Sequence, residues 1–141
     1  MWVTNSTITL NPGTAIGLCS PNENFWYGLA LNDQAHFISI GEADNLNHVA
    51  AYNTVQEQAG TGWCNRSAGL LISFAGANMS CQCTFTDWSV PAQDEPHVNF
   101  YWGATLAPVT FCNCQFHGGA LQSYYPTFIK GRSPIIIVLT V

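Results

Sequence analysis

The sequence predicts an all-β fold, specifically an antiparallel β-sandwich with a Greek-key or jelly-roll arrangement of about nine or ten short strands. Short β-branched, aromatic or alternating runs recur along the chain, and Gly, Pro, Asn or Asp clusters separate them. Charged residues make up only 8% of the 141 residues, whereas hydrophobic residues make up 48%. This length suits one domain with a substantial core.

The first predicted strands surround a strong turn signal. Residues 6–10 (STITL) alternate in polarity and stop at residues 11–13 (NPG), which are typical of a turn. Residues 14–19 continue as a second strand. Aromatic and β-branched runs follow at residues 25–31 and 36–40, and the short polar segment between them predicts a hairpin.

Further strands are expected from the same signals along the rest of the chain. They are residues 69–75, 80–88, 97–105, 109–116 and 133–141, of which 97–105 and 109–116 are expected to form a second hairpin. At most one short helix is expected, near residues 44–59, with Asp44 as its N-cap and Gly60 after its end. A long loop is the alternative for that segment.

The charge balance excludes several kinds of partner. Arg66, Lys130 and Arg132 are the only Lys or Arg residues, and the formal net charge is −5. Nucleic-acid binding requires several cationic contacts to phosphate, so we expect none, and binding to anionic lipid is disfavoured for the same reason. No apolar run reaches the roughly 18 residues that span a bilayer, so no membrane insertion is expected.

The end of the sequence indicates an oligomer. Residues 135–139 (IIIVL) are apolar at both strand parities, so both faces of the last strand should be buried. A strand of a monomeric sandwich has one outer face, so a neighbouring subunit or a layer of loops should cover that face. The low charge content favours the same interpretation.

Four of the six cysteines lie in two segments that share the pattern Cys-x-Cys-x-Phe, residues 80–88 (SCQCTFTDW) and 111–119 (FCNCQFHGG). Residues i and i+2 of a strand share a face, which predicts that Cys81 and Cys83 lie together, as do Cys112 and Cys114. An extended CxC lacks the tight knuckle of zinc sites, so no metal is expected, although residues 112–117 contain a loose CxCxxH. Reduced buried thiols and cross-strand disulfides, with Cys19 and Cys64 as a third pair, both remain open.

No enzymatic motif is present, and the chain is predicted not to be an enzyme. The four histidines show no metal-binding spacing, and the carboxylates are too dispersed to predict a catalytic pair. We therefore expect no catalytic residue and no cofactor.

Two segments are candidates for a ligand-binding surface. The first combines two aromatic rings with two of the three cations in a segment rich in polar residues: Tyr124, Tyr125, Lys130 and Arg132. The second consists of Trp88 and a Pro-bracketed acidic segment with Asp94 and Glu95. An ordinary surface loop is the alternative interpretation of both.

The beginning of the chain resembles the end of an adenovirus-type viral fibre shaft. Ile8 and Leu10 match the apolar positions of a first shaft strand, and Pro12 and Gly13 match the turn. Ile16 and Leu18 match the second strand. The resemblance divides the chain into shaft-like strands at residues 1–20 and a β-sandwich head at residues 21–141.

The resemblance implies a homotrimeric head on the virion surface that attaches to a host cell-surface glycan or protein without performing chemistry. The alternative is a secreted, disulfide-stapled binding module, either lectin-like or of the trimeric complement and tumour-necrosis type. The state of the cysteines distinguishes these two settings.

Overall fold

The computed structural model describes residues 1–18, 27–51, 70–89, 96–100, 105–118, 120–123 and 135–138. These ranges contain fourteen strands and no helix. The strands are β1 (Trp2–Val3), β2 (Thr7–Leu10), β3 (Ala15–Leu18), β4 (Tyr27–Leu31), β5 (His36–Ile40), β6 (Asn47–Ala51), β7 (Leu70–Phe74), β8 (Ala77–Thr84), β9 (Thr86–Ser89), β10 (Pro96–Phe100), β11 (Thr105–Cys112), β12 (Gln115–His117), β13 (Ala120–Ser123) and β14 (Ile135–Val138).

The strands form three parallel sheets. Sheet A has the order β1-β4-β7-β10-β13, sheet B the order β14-β11-β8-β5-β2, and sheet C the order β12-β9-β6-β3. Consecutive strands therefore enter sheets A, B and C in turn, and each strand pairs with the strands three positions before and after it. This arrangement is a three-sided parallel β-helix in which one circuit of three strands forms a coil.

The predicted antiparallel sandwich is wrong, because every ladder between these strands is parallel. The alternation of inward and outward residues correctly predicts strands, but this alternation is the same in parallel and antiparallel sheets. Neither expected hairpin is present. Strands β4 and β5 lie in sheets A and B, and β10 and β11 are likewise in different sheets.

Single residues with positive φ make the tight corners where a hairpin would otherwise reverse the chain. Asn5 (φ 52°) and Gln34 (φ 56°) lie between strands of sheets A and B, and Phe85 (φ 47°) and Asn113 (φ 53°) between strands of sheets B and C. One left-handed residue bends the backbone sharply without reversing it. The next strand then continues into the adjacent sheet. The turn predicted at residues 11–13 is present, with Gly13 at φ 77°.

The helix predicted near residues 44–59 is wrong where the structure describes it. Residues 47–51 form β6, which pairs with β3 on one side and β9 on the other. Asn47, Val49 and Ala51 point inward and are fully buried, which is a period of two. The two ladders and this buried face outweigh the loose helical spacing. Residues 52–59 lie outside the described ranges.

The core fills the interior of the coils with ladders of aligned side chains. In sheet B, Phe37, Cys81 and Val109 occupy one ladder, and all three are buried. In sheet C, Trp88 is aligned with Val49 and Phe116, and its ring stacks on Phe116 at a centroid distance of 6.2 Å. Each coil therefore buries its apolar residues against the coils before and after it.

The cysteine prediction holds for one segment and fails for the other. Cys81 and Cys83 share the inward face of β8, and their sulfur atoms are 3.7 Å apart. Cys112 is the outward, half-buried last residue of β11, whereas Cys114 is buried beyond the corner at Asn113. All four are free thiols. Cys19 and Cys64 lie outside the described ranges.

Sheet A is buried on both of its faces in the second to fourth coils. Inward Leu29 and Ile72 are covered by the core, and outward Ala30, Ser73 and Asn99 are at most 3% exposed. The accessible strand surfaces therefore belong mainly to sheets B and C. The side chains of β14 lie outside the described part, so the expectation that both of its faces are buried stays a prediction.

Candidate functional site

The outer face of sheet C carries a group of titratable and hydrogen-bonding side chains. We call it the sheet C cluster: His48 on β6, Asp87 and Ser89 on β9, and Gln115 and His117 on β12. Strand alternation places them outside, because the residues between them, among them Val49, Trp88 and Phe116, face the core.

The register of the coils brings these remote residues together. His48, Asp87 and Gln115 are aligned across three neighbouring strands, and Ser89 is aligned with His117 two positions further along. Neighbouring strands are about 4.8 Å apart, so the side chains are within reach of one another. Asp87 lies at the centre, with a histidine-bearing strand on each side.

Contacts to Asp87 define the geometry of the cluster. The Ser89 hydroxyl donates to Asp87 Oδ1 at 3.1 Å. Asp87 Oδ2 is 3.7 Å from His48 Nδ1 and 3.4 Å from His117 Nε2. The Asp87 side chain is 17% exposed, whereas the two imidazoles are 50% and 58% exposed.

These distances leave hydrogen-bonding capacity at the surface. Both Oδ2 separations exceed the 2.7–3.2 Å typical of an N–H···O hydrogen bond, so the histidines are charge partners of Asp87 only when protonated. A carboxylate oxygen has two lone pairs, and a neutral imidazole has one donor and one acceptor. The cluster therefore offers acceptors and donors side by side to a ligand.

A buried histidine holds the end of β12 that carries the cluster. His97 forms a β-bulge in β10, at the point where the register of β10 with β13 shifts. Its Nε2–H donates to the carbonyl oxygen of His117 at 3.1 Å, and its ring meets Phe116 edge-on at 5.4 Å. His97 therefore fixes the backbone from which the His117 side chain projects.

The geometry of the cluster does not match a nucleophilic triad. A catalytic serine is activated by a base that accepts its proton, usually a histidine that an acid orients. Here Ser89 donates to Asp87 itself, and the described hydrogen bonds include none between Ser89 and an imidazole.

A metal site is also not preformed in the part of the chain that the structure describes. No group of three His, Cys, Asp or Glu side chains there is placed to hold a metal ion. The loose CxCxxH at residues 112–117 does not form one site, because Cys114 is buried and His117 is exposed.

The buried thiols do not provide a nucleophile. Burial raises the pKa of Cys83 well above its usual value, and the nearby thiol of Cys81 raises it further. Burial also raises the pKa of Cys114, although its hydrogen bonds with the backbone of Thr86 and Cys112 oppose the shift. Thiols held in the neutral form inside a core contribute to packing rather than to catalysis.

The structure places one residue of the predicted ligand-binding surfaces. Trp88 is fully buried and contacts the rings of Phe37, Phe111 and Phe116, so its ring does not face a ligand. The other predicted residues lie outside the described ranges: Tyr124, Tyr125, Lys130, Arg132, Asp94 and Glu95.

Sequence reasoning missed the sheet C cluster, because its members are far apart in the chain and lack a shared motif. The useful signal was the alternation around Asp87, with hydrophobic Trp88 next to it. That signal predicts which face of the sheet Asp87 occupies only when the break in the strand at Phe85 is known.

No family model, curated protein or solved structure matches this chain. Within the described ranges, no helix is long and apolar enough to cross a membrane.

Proposed function

We propose that this chain is a non-enzymatic attachment module that binds a neutral glycan of a host cell surface through the sheet C cluster. The observation that carries the proposal is the convergence of Asp87, Ser89, Gln115 and two histidines on one accessible sheet face. Such groups bind hydroxyls, which donate to a carboxylate and accept from an imidazole or amide N–H.

The distribution of charge supports a neutral ligand. The chain has three cationic residues and a net charge of −5, which disfavours a sulfated or phosphorylated polymer. The sheet C cluster itself contains one carboxylate. A hydrogen bond from a ligand hydroxyl to that carboxylate is charge-assisted and therefore stronger than a neutral one.

The rigid sheet supports recognition of an extended ligand. Strands of the β-helix lie about 4.8 Å apart and hold the cluster residues on three of them, β6, β9 and β12. Side chains fixed on strands lose little freedom on binding. A glycan lying across these strands meets a row of hydrogen-bonding groups.

The biological setting stays a proposal. A virion-surface fibre, a homotrimer and a host receptor are the setting that the resemblance to viral fibres implies. The four free thiols in the described part support assembly in a reducing compartment rather than a secreted, disulfide-stapled module.

The test is binding to a glycan array, followed by titration of the best ligand with wild-type protein and Asp87→Asn. The substitution keeps the shape but removes the charge, and we expect roughly 10- to 100-fold weaker binding. Asp44→Asn is the matched control, because Asp44 is an exposed carboxylate between β5 and β6 and is not one of the cluster residues. Equal affinity of Asp87→Asn and the wild type would refute the assignment of this site.

A glycan array without any binder, combined with binding to intact cells that Asp87→Asn abolishes, would identify a protein receptor instead. Loss of cell binding by Asp44→Asn as well would show an effect of net charge rather than of the cluster.

A further inference from the structure

We propose that Ser80 and His36, on the outer face of sheet B, form a nucleophile–base pair that accepts an acyl group from an activated ester or thioester. Ser80 Oγ and His36 Nδ1 are 2.7 Å apart. A hydroxyl and a base within about 2.6–3.2 Å of each other are the structural signature of an activated nucleophile. This reaction goes beyond the binding proposed for the sheet C cluster and does not depend on it.

The register of the coils brings the two residues together, although they are remote in the chain. His36 on β5 is aligned with Ser80 on β8, and neighbouring strands are about 4.8 Å apart. Strand alternation turns both side chains outward, because Phe37 and Cys81, which follow them, are buried in the core. The Ser80 amide donates to the Ala35 carbonyl at 3.3 Å, which fixes the serine backbone next to His36. Both side chains are partly exposed, so a small acyl donor can reach them.

A β-bulge lies beside Ser80 on its other neighbouring strand. Two residues of β11, Ala107 and Pro108, lie opposite Ser80 alone, because the register of β8 with β11 shifts there by one residue. Bulges are rare in parallel pairs, and they are over-represented next to active sites, where they re-aim a side chain. The bulge distinguishes Ser80 from Gln82 and Thr84, which follow it on the same face in a regular ladder.

The partner of the Ser80 hydroxyl is a base of the kind that activates serine. In the tautomer that carries its proton on Nε2, the His36 ring accepts a hydrogen bond from Ser80 at Nδ1. An imidazole is the side chain that most often removes a proton in general base catalysis. Ser89 on sheet C differs, because it donates to the carboxylate of Asp87, which is a weaker base than an imidazole.

The reaction is an acyl transfer without any change of oxidation state. His36 Nδ1 takes the hydroxyl proton while Ser80 Oγ forms a bond to the carbonyl carbon of the donor. The bond from that carbon to the leaving oxygen or sulfur then breaks, and the leaving group receives the proton from the imidazolium. The products are an ester of Ser80, a free alcohol or thiol, and neutral His36. A serine ester has a poorer leaving group than an aryl ester or a thioester, so the acyl group stays on the chain.

The test is incubation of the full chain with p-nitrophenyl acetate, followed by peptide mass spectrometry. We expect an acetyl group on Ser80 that forms in a burst together with one equivalent of p-nitrophenolate. The modified position has to be mapped, because exposed imidazoles, Lys130 and the N-terminal amine also react with this ester. An acetyl group on Lys130 or the N-terminus, with none on Ser80, would overturn the proposal.

Two variants test the role of His36 as the base. His36→Gln keeps a hydrogen-bonding side chain but cannot take the proton, so acetylation of Ser80 should be at least about 100-fold slower. Ser6→Ala is the matched control, because it removes an exposed serine hydroxyl just before β2 and should leave the rate at Ser80 unchanged. Acetylation of Ser80 at the wild-type rate in His36→Gln would contradict the pairing of nucleophile and base.

Discussion

At the scale of single residues, burial rather than residue type decides what the cysteines do. Cys83 sits inside the β-helix with its sulfur 3.7 Å from that of Cys81, and burial is the largest cause of its raised pKa. A thiolate at that position would be a desolvated charge beside other sulfur atoms. Cys81, Cys83 and Cys114 are therefore parts of the core.

The raised pKa values predict how stability depends on pH. An unfolded thiol loses its proton near pH 9, whereas Cys83 and Cys114 in the folded chain keep theirs to higher pH. The folded state then binds more protons, so the stability that these two thiols contribute should be fully present below about pH 9 and be lost as the pH rises further. Urea unfolding at a series of pH values measures this dependence.

Cys83→Ala is the control for that series. It removes the more strongly shifted thiol, so the decline above pH 9 should become shallower than in the wild type, whatever its effect at neutral pH. An equally steep decline in Cys83→Ala would contradict the role assigned to this thiol.

At the scale of single elements, the positive-φ corners explain why the sequence indicated the wrong faces. Residues 80–88 read as one alternating strand, in which Asp87 would share the inward face of Cys81 and Cys83. The corner at Phe85 divides the segment into β8 and β9 and shifts the alternation by one residue. Trp88 consequently turns inward, and Asp87 becomes the centre of the exposed sheet C cluster.

A similar shift of the alternation explains why Cys112 and Cys114 of the second CxC do not share a face. Asn113 divides β11 from β12, so Phe111 and Cys114 face inward while Cys112 faces outward. An aromatic residue such as Phe85 rarely adopts positive φ. Sequence alone therefore gave little reason to break the strand there.

A hydrogen-bond network centred on the side chain of Asn47 joins β2, β5 and β6 to the turn between β2 and β3. The Asn47 amide donates to the Leu10 carbonyl at 3.3 Å and to Ser39 Oγ at 3.0 Å. Its oxygen accepts from the Thr14 amide at 3.0 Å. The network continues into the next coil, since the Ser39 hydroxyl donates to Thr86 Oγ1 and Thr86 donates to the Thr84 carbonyl.

Asn47→Ala is expected to destabilise the fold by about 2–4 kcal/mol, because the buried Leu10 carbonyl and Ser39 hydroxyl and the partly buried Thr14 amide lose their bonds to its side chain. Urea unfolding measures the change. Asn11→Ala is the control at an exposed asparagine of the same turn and should stay within about 0.5 kcal/mol of the wild type. A cost for Asn47→Ala no larger than that of the control would show that the network does not stabilise the corner.

At the scale of the whole molecule, the sequence was sufficient to predict the strands but not their direction. Most predicted strands overlap observed ones, since alternation and turn residues are local signals. The choice between parallel coils and antiparallel hairpins depends on which distant segments align. Thr7, His36 and Ser80 occupy one ladder, but their unequal spacing along the chain hides any repeat period.

The sheet C cluster depends on this alignment, because its residues meet only when β6, β9 and β12 run side by side in the same direction. The proposed site on sheet C therefore requires the parallel register.

Inter-strand nuclear Overhauser effects in isotope-labelled protein test that register most directly. We predict contacts between Asn47 and Thr86 and between Val49 and Trp88, with Trp88 in turn next to Phe116. An antiparallel pair of the same strands would give the reversed order, with Asn47 next to Trp88 and Val49 next to Thr86. That reversed order would contradict the β-helix and, with it, the site proposed on sheet C.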